Sequence, residues 1–348
     1  MRRISRITVA GAATASLALA LSACGGTSSE SSSESKGDKG LAIAYDVGGK
    51  GDQSFNDAAY AGLEKAKKEF GYETADVEPT EGETDADKQQ RLESLAKQGY
   101  NPVVGVGYAY ASAVKGAAEK FPDTTFGIVD DSTVEADNVA DLVFSEEEAS
   151  YLAGVAAAKS TESNVVGFVG GVDIPLIHKF QAGFAQGVKD TNPKVKVLSQ
   201  YLTQTAEEGG FSSPDKGKSA AEGQIEKKAD VVYAAAGLSG QGVIQAAAAN
   251  EVWAIGVDSD QYQQEALAKY KDSILTSAMK DVAKAVYNLA KSVEDGKPET
   301  GIVRGDLKSG EVSLSNSNPK FADNAELQEA IETAKKKIID GEIKVKSS

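Results

Sequence analysis

The sequence predicts an α/β protein of the doubly wound kind, with parallel sheets covered by helices on both faces. Two observations carry that expectation. From Leu41 onward, short β-rich runs alternate with helical patterns of nine to seventeen residues, the rhythm of βαβ units. Roughly 300 residues follow an N-terminal leader, more than one hydrophobic core usually organises, so two lobes of about 150 residues each are expected.

The elements follow in order. LAIAYDV begins at Leu41 and precedes a helical pattern from Ser54 to Phe70. NPVVGVG from Asn101 precedes Tyr110 to Lys120, and TTFGIVD runs from Thr124 to Asp130. NVVGFVG from Asn164 leads into Ile174 to Lys189, KVKVLSQYL from Lys194 into Pro214 to Lys228, and DVVYAAA from Asp230 into Gly242 to Asn250. VWAIGVD from Val252 is followed by Gln261 to Tyr270, and ILTSAMK from Ile274 by Asp281 to Asp295. In the first helix, Phe55, Ala59, Leu63, Ala66 and Phe70 form one apolar stripe. Asp52 or Ser54 is placed to cap its start and Gly71 its end. Ligands of such folds bind beyond the carboxyl ends of the strands. That rule singles out Asp46, Tyr108, Asp130, Gly171, Gly237 and Asp258.

The N-terminus has the layout of an export signal. Arg2, Arg3 and Arg6 precede an uncharged apolar run from Ile7 to Leu21, too short to span a bilayer, and Leu21-Ser22-Ala23-Cys24 resembles a lipobox. Residues 1–23 are therefore expected to be a lipoprotein signal peptide and Cys24, the only cysteine, the lipid attachment point. A Ser- and Gly-rich linker completes the 24–39 segment. With its thiol consumed, the chain has no disulfide and must rest on packing. Membrane contact then depends on the lipid anchor, on the extracytoplasmic face of the cell membrane.

Losing the three leader arginines takes the formal charge from -15 to about -18, which disfavours nucleic acid as a partner. The Lys335–Lys337 run lies in an amphipathic stretch from Ala325 to Ile339 and reads as a solvated helix face. Catalytic arrangements are thin. His178 is the only histidine, which removes His-clustered metal sites, and no G-x-x-x-x-G-K-[ST] phosphate loop occurs. Asp130 and Asp131 are adjacent and point to opposite faces, so they do not converge on one bond. Neither an enzyme nor a cofactor is expected. Aromatic and acidic groups do gather at strand ends and helix starts: Asp46, Phe55, Asn56, Asp130, Phe180, Asp258 and Lys280. Flat apolar faces beside carboxylate acceptors suit a planar, uncharged molecule rich in N–H and O–H donors, a description that fits a nucleoside.

Residues 52–63, DQSFNDAAYAGL, look like the DxSFNxxAYxGL segment of the basic membrane protein family, nucleoside-binding lipoproteins of ABC transporters. FGIVD at 126–130, EEEASYLAGVAA at 146–157, VGFVGGVDIPLIHKFQAGFAQGV at 166–188 and AIGVDSDQ at 254–261 extend the resemblance over nearly all of the folded part. Gln53 departs from the Lys common there, just outside the Ser-Phe-Asn core.

The resemblance implies a type 1 periplasmic-binding fold, two doubly wound lobes joined by three crossovers and closing over a ligand in the cleft between them. The crossovers are expected near Ser145, Met279 and Lys308, which assigns 40–145 with 280–308 to an N-terminal lobe and 146–279 with 309–348 to a C-terminal one. Carried over residue by residue, it implies that Phe55 and Phe180 sandwich the base while Asp46, Asn56 and Asp130 meet its polar edge. Asp258 and Lys280 would hold the ribose, and Gly237 would allow close backbone approach. The implied role is a monomeric receptor that delivers nucleosides, purines foremost, to an ABC permease whose ATPase is a separate chain. A binding protein of the same fold for another solute, such as a sugar or autoinducer, and a surface adhesin or sensory partner are the alternatives.

Overall fold

A computed structural model describes residues 39–348, which form one compact unit. Cys24, the signal segment and nearly all of the linker lie outside the described residues. Lys39, assigned above to the linker, already belongs to the first strand.

The first lobe opens with β1 (Lys39–Ala44), α1 (Phe55–Phe70), β2 (Glu73–Val77), α2 (Asp85–Lys97), β3 (Val103–Gly105), α3 (Ala111–Lys120), β4 (Phe126–Val129) and β5 (Val139–Phe144). Next come α4 (Glu146–Ser160), β6 (Val165–Val172), α5 (Pro175–Thr191), β7 (Lys196–Thr203), α6 (Pro214–Ile225), β8 (Val231–Ala235), α7 (Gly240–Ala249), β9 (Trp253–Asp258) and β10 (Ile274–Lys280). The chain ends with α8 (Val282–Glu294), β11 (Gly301–Gly305), β12 (Val312–Leu314), α9 (Pro319–Ala322) and α10 (Ala325–Ile339).

Two six-stranded sheets result, ordered β11-β5-β4-β3-β1-β2 and β12-β10-β9-β8-β6-β7. Every pairing is parallel except the antiparallel β10–β12 pair. The chain changes sheets three times, between Phe144 and Val165, between Lys280 and Gly301, and between Gly305 and Val312. Helices α1 and α8 cover one face of the first sheet, α2 and α3 the other. On the second sheet α4 and α5 pack opposite α6 and α7. With both faces covered, the central strands are buried along almost their whole length, as parallel sheets require.

The first helix is started by Asp52. Its carboxylate accepts from the backbone N–H groups of Ser54 (2.9 Å), Asn56 (2.8 Å) and Asp57 (3.2 Å), satisfying donors that the first helical turn leaves open. Ser54 holds the cap position but makes no capping bond with its side chain, and Gly71 closes the helix in the left-handed conformation at φ 72°. Ala59, Leu63 and Ala66 bury the middle of the stripe. One expected helix is absent: Gln261–Tyr270 gives way to a 3-10 stretch over Glu265–Ser273. There the backbone N–H of Gln261 bonds Ser277 Oγ and its side chain bonds Val257 N. Only Leu267 is buried in the segment, too little apolar surface to hold an α-helix on the sheet.

Candidate ligand-binding cleft

Between the sheets lies a cavity lined by all eight residues proposed above as ligand contacts. The strand ends deliver most of them. Asp46 follows β1, Gly107 and Tyr108 follow β3, Asp130 follows β4, and Ala236 and Gly237 follow β8. Asp258 and Lys280 are the last residues of β9 and β10. Phe55 is the first residue of α1, and Phe180 lies in the second turn of α5. The carboxyl ends of both sheets therefore face one shared cleft, as the topology of open α/β sheets dictates.

Lys280 organises the charge. Its Nζ donates to Asp130 Oδ2 at 2.6 Å and lies 3.6 Å from Asp258 Oδ1. It also sits 4.6 Å from the ring centroid of Phe55 and 5.5 Å from that of Phe180, within cation–π range. Burial opposes the ammonium charge, but Asp130, Asp258 and Glu146 together outweigh it and hold Lys280 above the usual lysine range. Asp258 Oδ2 accepts from Ser54 Oγ at 2.7 Å. The second oxygens, Asp130 Oδ1 and Asp258 Oδ1, are buried without a hydrogen-bond partner among the described residues, so each can accept from a donor in the cavity.

The backbone aims these carboxylates. Asp130 and Asp258 have φ values of 67° and 63°, a left-handed conformation uncommon for residues other than glycine and concentrated at functional sites. Asp46 is steered differently. Asn56 Oδ1 accepts its backbone N–H at 3.0 Å while Asn56 Nδ2 donates to Asp52 at 3.1 Å, so the amide of Asn56 holds the loop that carries Asp46. Beyond it, a Cβ on Gly107 (φ 103°) would fall 2.3 Å from Asp46 Oδ2, which only glycine avoids.

Burial raises three of these carboxyls: Asp46 to about 7, despite a bond from the Val47 N–H, Asp130 to about 6, despite Lys280, and Asp52 to about 6. The ordinary value is 3.8. Between that value and about 7 the folded chain binds more protons here than the unfolded chain, so the cleft's contribution to stability falls as pH rises through the window. Replacing Asp46 by Asn isolates the largest share. We expect Asp46→Asn to melt above wild type at pH 8 and to lose that advantage by pH 5, as followed by thermal melts.

The cavity also contains side chains that sequence reasoning left out of the contact set: Val47, Asp52, Tyr108, Leu176, Ile177 and Phe211. Tyr108 had a signal, since it follows a strand; burial and then Asp46 push its hydroxyl up to about 12. Phe211 had none. It belongs to the loop between β7 and α6, and its ring fits because Gly171 lies beneath it, where a Cβ would be 2.4 Å away. His178 lies outside this lining, 2.6 Å from Asp173.

The family model for PnrA-like ABC transporter substrate-binding proteins matches residues 40–348. The chain is 35% identical to the ABC transporter nucleoside-binding protein BmpA of Lactococcus lactis, across 98% of each chain. It is 36% identical to an uncharacterized lipoprotein of Pyrococcus abyssi, over 83% of this chain and 72% of that one. Among solved structures it resembles an ABC transporter solute-binding protein of Aeropyrum pernix, with a TM-score of 0.77 and 28% identity over 89% of this chain and 94% of the other. Such proteins bind a substrate for transport and are not enzymes. The chain belongs to the Bmp family of PnrA-like ABC transporter substrate-binding proteins.

Proposed function

We propose that the protein captures nucleosides, purine nucleosides foremost, by closing its two lobes, and delivers them to an ABC permease driven by a separate ATPase chain. The observation that carries this reading is the lining of the cavity: two phenyl rings from opposite lobes, with buried carboxylate oxygens beside them that accept no hydrogen bond among the described residues. The base stacks between Phe55 and Phe180, and the larger purine face covers more of both rings. Asp46 and Asp130, with Asn56 behind them, accept from its polar edge. Asp258 and Lys280 hold the ribose hydroxyls, and Gly237, at φ 51°, brings backbone close without a side chain. The moving bodies are 40–145 with 281–308 and 146–280 with 309–348; Lys280, assigned above to the first lobe, ends β10 of the second sheet and moves with it. A lipid on Cys24 tethers the monomer outside the cell membrane, in keeping with a relative named as a lipoprotein.

Isothermal calorimetry against adenosine, guanosine, inosine, uridine and cytidine tests this. The expected result is Kd near or below micromolar, equivalent to about -8 kcal/mol, with the purines tighter. An absence of heat with all five, on protein cleared of co-purified ligand, would overturn it.

Charge adds a second expectation. Asp46, Asp52, Asp130 and Asp258 line the cavity against the single Lys280, and the groove outside continues with Glu78, Glu81, Glu83 and Glu207 against Lys88. Bringing a phosphate into like charge costs several kcal/mol. A nucleoside 5′-monophosphate should therefore bind at least about 100-fold more weakly than its nucleoside in the same titration.

A further inference from the structure

The loop between β1 and α1 is held across the cleft by side chains that do not line the cavity. Four consecutive backbone carbonyls are taken by three residues of the second lobe. Gln241 Nε2, on α7, donates to Gly51 O (3.2 Å) and Asp52 O (3.3 Å). Gln261 Nε2 donates to Gln53 O (3.1 Å), and Ser259 Oγ donates to Ser54 O (2.8 Å). Gln261 is 1% exposed and is pinned in its own lobe, where its Oε1 accepts from Val257 N at 3.2 Å. One end of its amide thus holds β9 and the other holds the opposite lobe. Gln53, whose carbonyl it takes, lies in the left-handed region at φ 56°. All four acceptors are main-chain atoms, so the clasp reads the shape of the loop and not the side chain at Gln53.

We propose that Gln241, Gln261 and Ser259 form a closure clasp that sets how long the lobes stay shut, independently of which ligand lies inside. The clasp rests on the reading of ligand capture by lobe closure. It grips residues 51–54, immediately before Phe55 and Asn56, so closing it also seats the ring of Phe55 over the cavity. Contacts made only in the shut state stabilise that state for every ligand alike. Gln241, Gln261 and Ser259 are therefore positioning residues whose loss should shorten residence time and leave ligand preference intact.

The test compares wild type with Gln241→Ala and with Gln241→Ala/Gln261→Ala by stopped-flow release of a purine and a pyrimidine nucleoside. A small-angle scattering measurement of each protein without nucleoside accompanies it. Gln241 spreads one amide group over two long contacts, at 3.2 and 3.3 Å, and losing that shared donor should raise the release rate about five-fold. The single variant is therefore expected to release both nucleosides about five-fold faster and the pair at least ten-fold faster, with the purine-to-pyrimidine affinity ratio unchanged. The radius of gyration of the pair should exceed that of wild type. Gln241 is half-buried on a helix surface, so the single variant keeps the test decisive if the pair does not fold. Unchanged release rates, or a change in the affinity ratio, would overturn the clasp. If wild type binds no nucleoside, the nucleoside reading fails separately, and equal radii would then overturn the clasp on their own.

Discussion

Replacing Lys280 by Met is expected to abolish measurable nucleoside binding and to lower the melting temperature at pH 8 by roughly 10 °C. The ammonium is 4% exposed and stands between Asp130 and Asp258 at 2.6 and 3.6 Å. Glu146 is close enough to raise its pKa further, and Glu146 itself is bonded to Lys179 at 3.1 Å. Removing one member of a buried charge cluster leaves the others uncompensated, at a cost of about 3–5 kcal/mol. The sign of the pH dependence distinguishes this from simple loss of packing. Asp130 already titrates near 6, and burial also raises Glu146. Acidification can therefore neutralise the stranded carboxylates, and the deficit should shrink between pH 8 and pH 5 in parallel thermal melts. A deficit constant with pH would place the loss in packing alone.

The two phenylalanines should separate affinity from stability. Stacking of a base on an aromatic side chain is worth about 1–3 kcal/mol by alanine substitution, or roughly five- to 150-fold in Kd. Phe55→Ala is expected to weaken nucleoside binding by that factor with little change in melting temperature, because Phe55 is only half-buried at the edge of the core. Phe180 is 4% exposed inside the same core. Phe180→Ala should therefore weaken binding comparably and also cost about 3–5 kcal/mol of stability. Restoring a flat ring with Phe55→Tyr should recover most of the affinity. Calorimetry paired with denaturant unfolding reads both quantities.

Much of this site is legible in the sequence because the fold makes it so. In a parallel sheet every carboxyl end points the same way, and the rule of looking just past each strand finds Asp46, Tyr108, Asp130, Gly237 and Asp258 without coordinates. Gly171, chosen by the same rule, serves instead as the floor for Phe211. The aromatic pair is harder to read, since Phe55 begins an apolar stripe and Phe180 shares a helix face with Phe184. What stays hidden depends on loops and on elements whose pattern is muted. Strand β2 reads ETADV and helix α2 DADKQQRLESLAK, too polar for the periodicity that marks the others. Helix α4 is buried almost all round from Ala149 to Ala158, so it shows no stripe. Neither the placement of Phe211 nor the grip of Gln241 and Gln261 on the 51–54 carbonyls could be foreseen, because each rests on a loop conformation set by distant packing.

In the proposed complex one nucleoside lies between Phe55 and Phe180 with its ribose on Asp258 and Lys280. A crystal structure of the protein with its tightest-binding nucleoside tests it most directly. The base should be flanked by those two rings, with at least one ribose hydroxyl within hydrogen-bond distance of Asp258 Oδ1. A nucleoside bound in the outer groove near Glu78 and Glu207, or in the cavity with its ribose turned away from Asp258, would contradict it.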